Sequence, residues 1–160
     1  LVFEFFYSKD QNVTLTDEGT INNENNGYNN YYNSYAYLQG RSHFGMSIGS
    51  SIFLSPRYND DGYLKFKSNR IFALHGALEG YLTSHIKYSL LGTFGESLGT
   101  FVDPYPLRQR GIAGQANVTY SFPKISGLSI TGSAAFNTGH FFKTESYGGS
   151  LSIKKTGKFF

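Results

Sequence analysis

The stretch Arg70–Phe94, RIFALHGALEGYLTSHIKYSLLGTF, decides the fold. Every second residue is apolar or glycine: Phe72, Leu74, Gly76, Leu78, Gly80 and Leu82, then Ile86, Tyr88, Leu90, Gly92 and Phe94. Between them stand Ala73, His75, Ala77, Glu79 and Tyr81, then Lys87, Ser89, Leu91 and Thr93. Side chains on a strand alternate between faces, so this period of two predicts strands over 72–82 and 86–94, each with one greasy and one more polar face. If Leu82 faces Ile86, the same face pairs Gly80 with Tyr88, Leu78 with Leu90 and Leu74 with Phe94. An even-numbered loop would set Leu82 beside His85 and scramble both faces.

A second hairpin repeats the design. Ile112, Gly114, Ala116, Val118, Tyr120 and Phe122 alternate with Ala113, Gln115, Asn117, Thr119 and Ser121. After Pro123–Gly127 come Leu128, Ile130, Gly132, Ala134 and Phe136, alternating with Ser129, Thr131, Ser133, Ala135 and Asn137. Strands are predicted over 112–122 and 128–136. Shorter alternating runs lie at both ends, Leu1–Ser8 and Gly149–Lys154. The connections after Ser8, Phe94 and Asn137 read as long and polar, and those after Leu82 and Phe122 as tight. Residues 9–30, crowded with Asn, Gly and acid, read as an exposed loop. Residues 31–66 either add short strands around Tyr31–Leu38 and Ser42–Ile48 or form one large excursion.

Composition agrees with an all-β chain. Of 160 residues 39% are hydrophobic, 18% are aromatic and 19 are Gly, and the apolar residues are spread along alternating segments rather than gathered in runs. No stretch approaches the roughly 18 consecutive apolar residues of a membrane helix. The net charge of +3 is mild and unclustered, which gives no case for nucleic acid. There is no Cys, so thiol catalysis and disulfides are excluded. The opening LVFEFFYS begins in mid-strand and shows no signal peptide, so the chain is expected to be a piece of a larger protein or a processed one.

Which face looks inward separates two architectures. A soluble sandwich would bury the apolar face, with strands of about five or six residues and similar loops at both ends. Here the predicted segments run about 9 to 11 residues, the length a tilted strand needs to cross a bilayer. Aromatics gather at segment ends, and tight turns at one end oppose long loops at the other, as in outer-membrane barrels. The terminal Phe160 fits the same pattern. The expectation is an antiparallel transmembrane β-barrel of outer-membrane type with the apolar face toward lipid. The inward side chains, mostly Ala, Ser and Thr, are too small to fill a narrow barrel unaided. The chain is therefore expected to supply about 6–8 strands of a wider barrel.

GYNNYYNSYAYLQGRSHFGMSIGSSIFLSP (27–56), NRIFALHGALEGYLTSHIKYSLLGTF (69–94) and LSIKKTGKFF (151–160) resemble the C-terminal part of the capsule assembly Wzi family, in the form found in Bacteroidetes. The resemblance covers nearly the whole chain. It implies that residues 1–160 are the C-terminal portion of one outer-membrane barrel of about eighteen strands, with a helical N-terminal region on the periplasmic side. It also implies a cell-surface, multi-pass protein that acts as a lectin, holding capsular polysaccharide on the cell. The expected partners are outer-membrane lipid, surface polysaccharide and the remaining N-terminal part of the same protein.

Tyr28, Tyr31, Tyr32, Tyr35 and Tyr37, interleaved with Asn26, Asn29, Asn30 and Asn33, form the richest local cluster. Tyrosine faces stack on sugar rings, while phenol and amide groups exchange hydrogen bonds with hydroxyls. Tyr28, Tyr31, Tyr32, Tyr35, Asn30, Asn33 and Arg41 are the candidate saccharide contacts. The competing reading makes the tyrosines an interfacial girdle and the asparagines turn residues. Arg41, Lys65, Lys67, Arg70, Arg108 and Arg110, in or near the long loops, suit either an acidic polysaccharide or the anionic outer leaflet.

His75, Glu79, Lys87, Gln115 and Asn117 are the predicted lumen-facing polar residues. His75 and Glu79 lie about 13 Å apart along one strand, beyond hydrogen-bond reach, and Glu79 is expected to face Ser89. No Ser, His and Asp are placed together, so no enzyme, metal or cofactor is expected. NDDG (59–62) begins like a calcium loop but lacks the Glu at the needed spacing and reads as a turn. The functional alternative to a surface lectin is a porin-like channel or export conduit lined by the polar face.

Overall fold

The structure is a computed structural model that describes residues 1–8, 32–33, 42–50, 52–100 and 103–157. Eight strands lie among them: β1 (Val2–Tyr7), β2 (Ser42–His43), β3 (Met46–Ser47), β4 (Ile71–Thr83), β5 (Ile86–Gly99), β6 (Pro104–Ser121), β7 (Leu128–Thr138) and β8 (Ser146–Lys155). The described residues contain no α-helix, only short 3-10 turns at Pro56–Tyr58 and His140–Phe142. Among the described residues no helix is long and apolar enough to cross a membrane, a finding that says nothing of strands. The chain is all-β. The loop 9–30, the run Tyr31–Leu38 apart from residues 32–33, and Phe160 lie outside the described residues.

Six strands form one sheet in the order β1-β4-β5-β6-β7-β8, and β2 pairs only with β3. Among the described residues the large sheet is open, with β1 and β8 at its edges. The chain divides into two compact units, one of Leu1–Phe5, Ala73–Gly95 and Arg110–Phe160, the other of Phe6–Phe72 and Glu96–Gln109.

In the first unit the expected parity holds. Tyr88 lies over Gly80, where a Cβ would come 2.8 Å from its hydroxyl. His75 bonds across to Thr93 at 2.7 Å. Both pairs belong to the register in which Leu82 faces Ile86. The tight turn has no glycine because Thr83 Oγ1 accepts the N–H groups of His85 and Ile86 instead, at 3.3 and 3.2 Å. In the second hairpin Gly114 pairs with Phe136, Val118 with Gly132 and Tyr120 with Ile130. Its turn closes through Phe122 N–H to Leu128 O at 3.0 Å. Gly127 takes a φ of +72° there, and a Cβ would run into the Thr156 carbonyl. β8 continues the pattern, with Ile130 opposite Ile153, Gly132 opposite Leu151 and Phe136 opposite Tyr147.

Among the described residues this unit buries little apolar surface: of the buried apolar residues, Ala73 and Phe141 belong to it. Phe141 lies against Gly95 and Gly111, where any Cβ would collide with it. Leu78, Leu82, Leu90, Ile112, Val118, Phe136, Leu151 and Ile153 are all exposed on one face. Among them Gly92, Gly114, Ala116, Ala134 and Gly149 leave a shallow recess of about 870 Å³. The described residues place no second layer over the greasy face.

The second unit holds an aromatic core. Phe66, 1% exposed, and Phe53 flank Tyr32, at ring separations of 5.4 and 4.3 Å, and Phe6 meets Phe53 edge-on at 5.6 Å. Ser8 ties β1 to the start of β4: its hydroxyl donates to Asn69 O at 2.8 Å and accepts the Ile71 N–H at 2.9 Å. The short strands expected around Ser42–Ile48 are a two-residue-loop hairpin, Ser42 opposite Ser47. Its turn residues Phe44 and Gly45 both have positive φ, as a twist-matched turn requires.

The expected long connections are corrected at two places. After Asn137 only residues 139–145 separate β7 from β8, and Phe141 among them is buried. The connection after Phe94 is not long: β5 continues to Gly99 and β6 starts at Pro104. Leu98 N–H bonds to Arg70 O at 2.9 Å and Arg70 N–H to Gly99 O at 3.2 Å. Glycine, proline and charge hid these extensions, yet Pro104 stands at the first position of its strand, where a missing N–H costs no ladder bond.

Candidate functional site

Alternation places His75, Glu79 and Tyr81 of β4, Lys87, Ser89 and Thr93 of β5, and Gln115, Asn117 and Thr119 of β6 on the face opposite Leu78, Leu90 and Val118. This polar face is cross-linked by side chains. Lys87 Nζ pairs with Glu79 Oε1 at 2.8 Å. Gln115 donates to Asn117 Oδ1 at 2.9 Å, and Asn117 donates to Ser89 Oγ at 2.8 Å. Thr119 and Thr131 share a bond of 2.8 Å. Glu79 thus takes Lys87, its diagonal neighbour, while the Ser89 expected opposite it is held by Asn117. Three of these links join neighbouring strands and the Gln115–Asn117 bond runs along β6, so side chains order the face both across and along the strands.

Of the seven candidate saccharide contacts, Tyr32 and Asn33 fall among the described residues, and both serve packing. Tyr32 is buried among Phe53 and Phe66. Asn33 imitates a strand partner: its Nδ2 donates to Phe66 O and its Oδ1 accepts Phe66 N–H, both at 2.7 Å. Tyr28, Tyr31, Tyr35, Asn30 and Arg41 lie outside the described residues.

Two of the basic residues already have acid partners. Arg108 Nη1 bonds to the nearly buried Glu96 at 2.9 Å. Sequence reading missed this pair because it placed both residues in a loop, and the pairing itself depends on how β5 and β6 are staggered. Lys67 pairs with Asp61. NDDG is a turn: Asn59 Nδ2 donates to Tyr63 O and Lys65 O at 2.6 and 2.7 Å, and Asp61 accepts Tyr63 N–H at 3.1 Å.

The bond from Lys67, and then that from the Tyr63 N–H, hold the Asp61 carboxyl below the usual carboxylate range. A carboxyl with a lowered folded-state pKa stabilises the fold above its unfolded value and loses that contribution as pH falls through the folded one. The 59–67 turn is therefore expected to loosen at acid pH. Lys67→Met should return the Asp61 titration, followed by carboxyl NMR, toward the ordinary value; an unmoved titration would show that the pair does not form in solution.

No family model matches the chain, and no curated protein and no solved structure matches it either.

Proposed function

We propose that the chain is part of an outer-membrane β-barrel that attaches or assembles capsular polysaccharide at the bacterial surface. One observation carries the membrane half of this reading. Among the described residues nothing covers an apolar face spanning β4 to β8, while the opposite face is polar and internally hydrogen-bonded. A soluble protein rarely leaves so large a patch to water, whereas a bilayer covers it. The saccharide half rests on the resemblance to the capsule assembly Wzi family and on the Tyr/Asn run. The segment 9–30, read from the sequence as an exposed loop leading into this run, needs a reason, since strands can be joined in a few residues. With Tyr32 and Asn33 engaged in packing, Tyr28, Tyr31, Tyr35, Asn30 and Arg41 remain its loop contacts. No enzymatic activity, metal or cofactor belongs to the proposal.

The second reading, a porin-like channel or export conduit, draws on the same polar face, because side chains that bond to one another and to water suit a lumen wall. Polysaccharide retention separates the two. Tyr31→Ala combined with Tyr35→Ala is expected to reduce surface-held polysaccharide while the amount of folded, membrane-inserted protein stays constant. Unchanged retention at normal protein levels would remove the loop from the binding role and return its tyrosines to an interfacial girdle.

A further inference from the structure

The polar face carries an exposed aromatic ring near the tight turn. Tyr81 is 70% exposed, on a face where Leu91 is the other large apolar side chain and the rest are hydroxyl, amide, imidazole, charged and small residues. We infer that this face is itself a saccharide site, in which Tyr81 stacks on one pyranose ring of a glycan chain whose hydroxyls bond to Glu79 and Lys87, and Ser89, Asn117 and Gln115 bond to hydroxyls of the adjoining sugar residues. The inference rests on the polysaccharide reading above and adds a binding surface distinct from the loops.

The chemistry of the cluster fits a polyol. Glu79 spends one carboxylate oxygen on Lys87, so its second oxygen and two ammonium protons of Lys87 are left for a ligand. Gln115 keeps its carbonyl and one N–H, Asn117 keeps one N–H, and the Ser89 hydroxyl, which accepts from Asn117, keeps its proton to donate. Donors and acceptors thus alternate across β4, β5 and β6, over two strand spacings or roughly 10 Å. These groups are already oriented by one another, which lowers the ordering cost of binding. Tyr81 adds a large contact area with few rotatable bonds. The Glu79–Lys87 pair carries no net charge, which favours a neutral sugar over a uronate.

The neighbouring strands make room for such a ring. Gln115 pairs across to Ala135 and Asn117 to Ser133, and these pair in turn with Gly148 and Ser150. The same face therefore steps down from Tyr81 and Lys87 to a floor of small side chains on β7 and β8.

The test uses the full-length protein in lipid nanodiscs. Dextran and chito-oligosaccharide serve as neutral probes, and hyaluronate as an acidic one. Binding of a neutral probe is expected, with weaker binding of hyaluronate. Tyr81→Ala and Asn117→Ala should each weaken the neutral probe by roughly tenfold or more, while Tyr81→Phe, which keeps the ring, stays within about threefold of the parent. Heat-modifiable migration of each variant confirms that the fold survives. If Tyr81→Ala and Asn117→Ala bind like the parent while Tyr31→Ala with Tyr35→Ala loses binding, the face is not a site and the loop reading stands alone. Preference for hyaluronate overturns the neutral assignment. If the parent binds none of the three probes, this inference falls; if surface retention in cells is also insensitive to the loop variant, the polysaccharide reading falls with it.

Discussion

Leu90→Arg is expected to cost about 2–4 kcal/mol of folding stability in a bilayer, the penalty for a cation on the lipid face of a barrel near the midplane. Leu90 stands at the middle of the alternating 86–94 segment, and its side chain is half exposed, with no layer over it among the described residues. Two environments therefore predict opposite outcomes for one substitution. In water a half-exposed leucine accepts arginine with little change, within about 0.5 kcal/mol. In hydrocarbon the guanidinium must be desolvated or drag headgroups inward. Ser133→Arg, on the opposite face beside Asn117, is the matched control and should be mild in either medium. Reversible urea unfolding from liposomes measures both variants. A cost for Leu90→Arg no larger than that for Ser133→Arg would end the membrane reading.

Phe66→Ala should destabilise the second unit by about 3–5 kcal/mol, as expected for truncating a fully buried ring that its surroundings cannot collapse onto. Phe66 is 1% exposed, lies edge-on to Tyr32 at 5.4 Å, and has both backbone groups bonded to the Asn33 side chain. Removing the ring opens a cavity beneath Tyr32 and unsettles the amide that pairs with the chain at Phe66. Because this unit is held by protein packing, the loss should be much the same in detergent and in lipid, unlike that of Leu90→Arg. Protease sensitivity confined to residues 32–70 would report it, and parent-like resistance would show that the aromatic core contributes little.

These two sites also show how far a one-dimensional reading reaches. The face of Leu90 was legible because alternation is imposed by strand geometry, one residue at a time, and needs no knowledge of neighbours. The role of Phe66 was not legible. It lies in an irregular stretch without periodicity, and its burial depends on Tyr32 and Asn33, more than thirty residues away in sequence. Tyr32 and Asn33 belong to a run that reads as a sugar platform, since Tyr and Asn suit sugars and buried turns equally well. Composition cannot separate the two uses, but burial can. The extensions of β5 and β6 escaped notice for a related reason: proline and glycine argue against a strand interior, and only the partner strand shows which N–H groups the ladder requires.

By itself the sequence determined the all-β class, the two hairpins, the parity of their turns and the division of side chains between a greasy and a polar face. All of these follow from local backbone geometry and from patterns a few residues long. Tertiary structure alone decided that Asn117 bonds Ser89 while Glu79 takes Lys87, that Glu96 holds Arg108, and that Tyr32 is core rather than surface. Such pairings depend on which strands become neighbours, on their stagger and on which side chains reach diagonally across the gap. Those are relations between distant segments, and they arise only when the chain has closed the loops between them.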